Sequence, residues 1–481
     1  MRPAPPPHFL HRTMMLQFFV HCNISVFGYD HGVCFSEALR VHMRTGSRET
    51  IAGDKCVAWR ERVDRRRLVA ALVAALSLSG GIQPACGQTL DSEPSDVAGN
   101  RPQPGYDPVG IRAGKLMIRP SLTISPDFSS NVFTTADDPR SDASVSIVPT
   151  ITAALTEPGA NFSLYGEARI RRYATYSTQD DEQFRIDAGG STELPSGFFL
   201  SAGVGWADTT AARGTVANDL SIGDPLKMRE LRSRISLRRS FNRLYASIGL
   251  SAARSTYEDI DLDDGSVIDQ SFRNGHRSGG TVTLGYEVSP LLALETRATY
   301  DVYRYSDVRP LFIRDAEAYS IGIGLRYQIT QLFTAEFNAG LRQHKFDNPL
   351  FATIKGVALF GRLRWYPTPL ISVRADLAQS TSTSTLDQVS AVTVTDFTLG
   401  ADYEFRRNVL VTAETALAFE DYGQIGLQAK RLSFTSRVEW KVNRWLRAGG
   451  YATLNSRFGS GSGPIRDYSS VQTGVRTTLA L

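Results

Sequence analysis

Between Tyr319 and Phe346 the chain reads YSIGIGLRYQITQLFTAEFNAGLRQHKF, and its side chains alternate with a period of two. Tyr319, Ile321, Ile323, Leu325 and Tyr327 share one parity, with Ser320, Gly322, Gly324 and Arg326 between them. After Ile329–Leu332 the alternation resumes with Phe333, Ala335, Phe337, Ala339 and Leu341 against Thr334, Glu336, Asn338, Gly340 and Arg342. That period belongs to extended strands, whose successive side chains point to opposite faces. Two such runs joined tightly form a β-hairpin. Each run is about ten residues long, the length a tilted strand needs to cross a bilayer. A soluble sheet would bury the apolar parity in a core, whereas a membrane barrel turns it to lipid around a polar lumen.

From Gly114 onward the hairpin recurs. Short turns rich in Pro, Gly, Asn and Ser fall at Glu157-Pro-Gly, Pro195-Ser-Gly, Phe241-Asn-Arg, Ser289-Pro, Thr330-Gln, Pro367-Thr-Pro, Arg406-Arg-Asn and Asn443-Arg. They are spaced by about forty residues, room for two long strands and one longer loop. A propeller blade of that length would hold four short strands instead. The longer polar segments are 134–141, 177–183, 208–225, 258–270, 305–317, 346–354, 380–392, 421–430 and 457–466. Strands leading into the short turns end in Tyr286, Tyr327, Trp365, Tyr403 or Trp440, all on the apolar parity. A ring of Tyr and Trp at one height is the interfacial girdle of a membrane barrel, and a sandwich has no use for it. The expected fold is therefore all-β: a transmembrane, antiparallel, up-and-down β-barrel of about eighteen strands (16–18) over residues 114–481. The last strand, Val471 to Leu481, alternates to the final residue, and Leu481 stands where such barrels commonly carry Phe or Trp.

The first part of the sequence is different. RERVDRRR at Arg60–Arg67 precedes LVAALVAALSLSGG and then small residues, the three-part pattern of a secretory signal peptide. We expect the leader over 57–87, cleavage after Gly87, and an extension over 1–56 that reflects a mis-assigned start. Cys86 is poorly placed for lipidation, because Gln83-Pro84 precedes it. Residues 88–113, rich in Pro, Gly and Asp, read as a flexible periplasmic lead-in. Cys22, Cys34, Cys56 and Cys86 all precede residue 88, so the exported part uses neither disulfide nor thiol. Of 53 Lys+Arg and 49 Asp+Glu, 11 and 6 lie before residue 88, which leaves 42 against 43. A net charge of −1 excludes nucleic acid as a natural partner.

The segment Pro108–Phe133 contains Gly110-Ile111-Arg112, Gly114, Pro120-Ser121-Leu122 and Asn131-Val132-Phe133. With Arg172-Tyr173 and Gly285-Tyr286-Glu287-Val288-Ser289-Pro290, it resembles the outer-membrane family known as putative β-barrel porin type 2. The resemblance implies a Gram-negative outer-membrane location and a link to exopolysaccharide and capsule export, and an even strand count puts both termini on the periplasmic side. It implies contact with lipopolysaccharide, with an anionic polysaccharide and with periplasmic secretion components.

The parity opposite the apolar one carries Arg169, Arg171, Arg185, Arg232, Arg234, Arg238, Arg297, Arg326, Arg342, Arg362, Arg364 and Arg374. The same parity holds Glu167, Asp187, Glu193, Glu295, Glu336, Asp376 and Glu414. Arginine offers planar, bidentate contacts to carboxylate and phosphate, so these side chains form a candidate track for an acidic polymer. The competing reading is cross-strand pairing that solvates the wall and holds register. Arg232, Arg234 and Arg238 form the best candidate patch, with no acid on their own strand after Glu230. The acidic loop Tyr257–Gly265 lacks the spacing of a calcium loop. His276 and His344 are the only histidines after residue 88, on different hairpins, and no Gly-x-Ser-x-Gly is present. No catalytic, cofactor or metal site is expected. The chain reads as a porin-like conduit, for which the resemblance implies polysaccharide export, with a scaffolding barrel as the alternative and a surface hydrolase a distant third. The longest loop, 208–225, looks too short to fold inward, so the lumen is expected to be open or filled by the lead-in.

Overall fold

The computed structural model describes residues 97–481 except 221, 263, 308, 310–312, 331, 387–388 and 460–465. It also describes a two-residue ladder pairing Gly28–Tyr29 with Gly32–Val33. The extension expected over 1–56, the leader over 57–87 and residues 88–96 of the lead-in otherwise lie outside the described residues.

Eighteen long strands follow one another. The first half comprises β1 Leu116–Ser129, β2 Asp142–Glu157, β3 Ala160–Tyr173, β4 Asp181–Leu194, β5 Phe198–Thr210, β6 Lys227–Phe241, β7 Leu244–Tyr257, β8 Gly275–Ser289 and β9 Leu292–Tyr305. The second half comprises β10 Ala316–Thr330, β11 Phe333–Phe346, β12 Ile354–Thr368, β13 Ile371–Ser382, β14 Val392–Arg406, β15 Val409–Tyr422, β16 Leu427–Lys441, β17 Leu446–Gly459 and β18 Tyr468–Ala480. Every strand pairs antiparallel with its sequence neighbours, and β18 returns to β1 from Gln472↔Ser129 to Ala480↔Ser121, so the barrel is closed. Within it Tyr319 to Phe346 forms the β10–β11 hairpin, with Arg326 opposite Glu336.

The eight short turns lie where Pro, Gly and Asn predict them. Gly159 and Asn242 take positive φ there, 76° and 55°, a region that suits glycine and asparagine. Some of the longer loops are shorter than their composition suggests, whereas those expected over 134–141 and 258–270 extend to 130–141 and 258–274. Asp181–Gln183 belong to β4, and 421–430 shrinks to a connection over 423–426. Polar side chains there mark the emergence of the strands from the apolar zone, while the backbone ladder continues beyond it.

The apolar parity is exposed around the circumference, as at Ile323 (74%) and Leu341 (70%). On that face Tyr286, Tyr327, Trp365, Tyr403 and Trp440 pair with Leu244, Leu292, Phe333, Ile371 and Val409. Each partner is the first residue of the preceding strand, so the five rings share one height. Because an apolar outer face is stabilised only by lipid, a charge there should be costly in a way a lumenal change is not. Replacing Ile323 by Arg is expected to cost about 2–4 kcal/mol of stability in refolding from denaturant into vesicles. Ser320→Asn, on the opposite face, should leave the transition within about 0.5 kcal/mol.

Candidate functional site

Opposite the lipid face, charged side chains form lateral rows. Arg297 reaches Glu336 at 3.4 Å, Arg364 and Arg362 hold Asp376 at 2.9 and 3.4 Å, and Arg169 holds Glu167 at 3.2 Å. Four further contacts between non-adjacent strands each pass over a glycine in the strand between. Arg232 meets Asp187 at 2.6 Å across Gly205, and Arg374 meets Glu414 at 3.0 Å across Gly400. The Tyr245 hydroxyl donates to Glu295 across Gly285, and the Tyr451 hydroxyl to Asp127 across Gly474. A side chain on any of these glycines would collide with the bridging groups. Arg326 also pairs with Glu295, and Arg185 with Asp187 at 2.5 Å.

Most of the arginines read as a candidate track are therefore neutralised by carboxylates within the wall. Arg171 and Arg342 donate to hydroxyls instead, Arg171 to Ser146 and Arg342 to Thr381 and Thr393. The β6 patch is smaller than its sequence suggests, because Asp187 of β4 and Glu230 hold Arg232. Arg238 stacks on Tyr245 at 4.3 Å, and no carboxylate pairs with Arg234 or Arg238 among the described residues. Glu193 stands at the short-turn end of β4, where its N–H donates to the Gly159 carbonyl. His344 is buried with its ring 5.0 Å from Tyr303 and 4.7 Å from Phe346, and His276 lies exposed on the outer face. In the acidic loop, Asp259 and Asp264 accept hydrogen bonds from Gln270 and Ser266, and the described residues hold no metal-sized cluster of His, Cys, Asp and Glu.

Contrary to the expectation from its length, the loop 211–226 between β5 and β6 folds inward. Half of a sixteen-residue loop can reach about 27 Å. Its Asp219 lands among side chains of the far wall. There it accepts from Arg457 at 2.7 Å, the Ser384 hydroxyl at 2.9 Å and the Tyr422 hydroxyl at 3.0 Å. Arg457 also donates to Glu420 at 2.6 Å, and all three ionic groups are at most 1% exposed. Val216 joins Val389, Val392, Val394, Ala418 and Tyr422 in an apolar cluster, and Gly214 packs on the ring of Tyr468. Arg273, stacked 3.9 Å over Tyr257, donates to the Ala217 carbonyl at 3.0 Å. The inward fold was illegible because its partners lie on strands about 200 residues away.

The opposite mouth also holds a segment of chain. The lead-in, expected to be flexible, lies against the lumenal side chains of the wall over 97–107. Val97 and Ala98 are buried, and Ser372 donates to the Ala98 carbonyl at 2.9 Å. Arg101 pairs with Glu404 at 3.6 Å, and Lys441 with Asp107 at 2.7 Å.

Removing one member of a buried ion network leaves another buried charge unmatched, a cost of about 3–5 kcal/mol. Asp219→Ala is therefore expected to release the loop, seen as a larger and noisier single-channel conductance in planar bilayers. Burial pushes the seated Asp219 carboxyl above its ordinary range despite Arg457 beside it. The seated loop thus takes up a proton more readily than a released one, so falling pH favours the seated state and rising pH favours release. Channel current should decrease on acidification from neutral pH towards the ordinary carboxylate range, and Asp219→Asn should remove that component.

No curated protein matches the chain. Solved structures to which it is similar include the outer membrane protein OpdK from Pseudomonas aeruginosa, 10% identical over 76% of this chain and 99% of that one, with a TM-score of 0.38. OccK2 (OpdF) from the same organism is 11% identical over 76% and 98%, with a TM-score of 0.40. At the level of family, the model described as Putative beta-barrel porin 2 matches residues 103–480, nearly the whole described barrel. The chain, a closed eighteen-strand barrel with a charged lumen, belongs to that family of outer-membrane β-barrel porins.

Proposed function

We propose that this porin-like barrel is a gated conduit for an anionic solute, with acidic exopolysaccharide as the exported cargo. The observation that carries the reading is the lumen itself. Its wall is lined by guanidinium rows, and Arg234 and Arg238 are left without carboxylate partners. Such groups recognise carboxylate and phosphate by paired hydrogen bonds while keeping their charge. The seated loop 211–226 would serve as the gate and the 97–107 segment as a second barrier at the other mouth. Both ends of the barrel lie at the short-turn end, which faces the periplasm in bacterial barrels, so export would begin there. In this reading the mature chain starts at Gln88, after removal of the leader, and lipopolysaccharide surrounds the long-loop end.

The lead-in favours a second reading. A segment held in the mouth by Arg101, Asp107 and Ser372 suits a barrel that anchors periplasmic secretion components without conducting.

Single-channel recording of refolded protein from Gln88 separates the two. A conduit predicts a stable conductance that falls when an acidic polysaccharide is added and is unmoved by a neutral one. A correctly folded but silent barrel, in both wild type and Asp219→Ala, would instead favour the scaffold.

A further inference from the structure

One glycine-centred row carries opposite charges on its two flanking strands and yet lacks a bridge. Gly449 of β17 stands between Glu439 of β16 and Arg476 of β18. The spacing is that of Asp187–Gly205–Arg232 and of Arg374–Gly400–Glu414, yet Glu439 and Arg476 do not meet. Glu439 turns instead to Arg447, at a loose 3.8 Å. The atoms nearest a Cβ built on Gly449 are the backbone of Val438 and Glu439, not a bridging side chain. What remains is a shallow notch, open to the lumen and lined by Arg437, Glu439, Arg447, Tyr451, Arg476 and Thr478.

The notch is short of acceptors. It holds three guanidinium groups and one carboxylate, and neither Arg437 nor Arg476 pairs with a carboxylate among the described residues. The Nε atoms of Arg447 and Arg476 are buried with no hydrogen-bond partner. Guanidinium groups without a carboxylate beside a gap suit an anionic acceptor from outside. Tyr451 forms a fixed side wall, its hydroxyl donating to Asp127 and accepting from Gln472, with Arg476 lying 5.8 Å over its ring. The notch is also placed at one mouth. The adjoining lumenal row contains Lys441, which holds Asp107 of the lead-in.

We infer that this notch is a binding site for a single carboxylate-bearing sugar unit at the short-turn mouth. The carboxylate would replace the missing bridge, accepting from Arg476 and Arg437, with the ring of the sugar against Tyr451. For its biological purpose the site rests on the conduit reading, but its chemistry does not depend on conduction.

Isothermal titration of the refolded protein with galacturonate, galactose and inorganic phosphate tests it. Galacturonate is expected to bind and galactose to give no heat. Arg476→Gln and Arg437→Gln should each weaken galacturonate by roughly tenfold or more, the size of a lost charge-assisted hydrogen bond. Arg140→Gln, in an exposed pair with Asp138 on the loop before β2, should leave the affinity unchanged. Phosphate binding as tightly as galacturonate would overturn the sugar assignment. No heat with galacturonate, or equal affinity in Arg476→Gln, Arg437→Gln and wild type, would overturn the site. Both variants remove an unpaired charge, and circular dichroism checks that each folds. Binding in a silent barrel would sink the conduit and keep the site, whereas conductance without binding would do the reverse.

Discussion

The pairing of β18 with β1 is the contact on which the rest of this molecule depends. In lipid no water is available to satisfy a free strand edge, and each unpaired N–H or C=O costs several kcal/mol. Closing the ladder from Gln472 to Ala480 against β1 removes both edges at once. Only then can the outer face be apolar throughout its circumference, and only then does the opposite parity of every strand converge on one lumen. The girdle follows from the same closure. Tyr286, Tyr327, Trp365, Tyr403 and Trp440 sit at one height because antiparallel register places each beside the first residue of the strand before it.

Inside, the problem is inverted. A barrel of this size is too wide to be filled by wall side chains alone, so its polar groups must find partners along the wall or on chain brought in from the ends. Both solutions are used. Glycines in the intervening strand let Arg232 reach Asp187 and Arg374 reach Glu414, which neutralises charge without crossing the lumen. At the long-loop mouth, Asp219 is carried to Arg457 and Tyr422 by an apolar cluster around Val216 and Val389. The apolar contacts supply attraction, and the ion network sets one seat for the loop. Against this background the uncovered Gly449 and its unpaired arginines are a departure from the pattern of the wall.

How much of this is legible in the residues depends on how far each interaction reaches along the chain. Alternation such as Ile321–Ile323–Leu325, turns such as Pro195-Ser-Gly and the parity of Arg326 and Glu336 are local properties. The strand number follows from counting them. The pairing of Asp187 with Arg232 is not legible in that way, because it requires the register of two ladders and the absence of a side chain at Gly205. Arg437, Arg447 and Arg476 escaped notice for the same reason. Each is an ordinary lumen-parity arginine in its own strand, and only the pairing of β16, β17 and β18 brings them together around Gly449. The best available signal was the Gly449-Gly450 pair within a strand, since glycine there marks a close approach.

The sequence by itself determined that the chain alternates with the strand period, that its strands are long enough to span a bilayer, and that one face belongs in lipid. Those conclusions rest on side chains one or two residues apart, whose relative directions the extended backbone dictates. The tertiary structure alone decided that the loop 211–226 lies across the lumen and that residues 97–107 occupy the other mouth. It alone decided which arginines keep a free charge. These depend on strands that closure brings face to face across the barrel, and no local period in the chain encodes that distance.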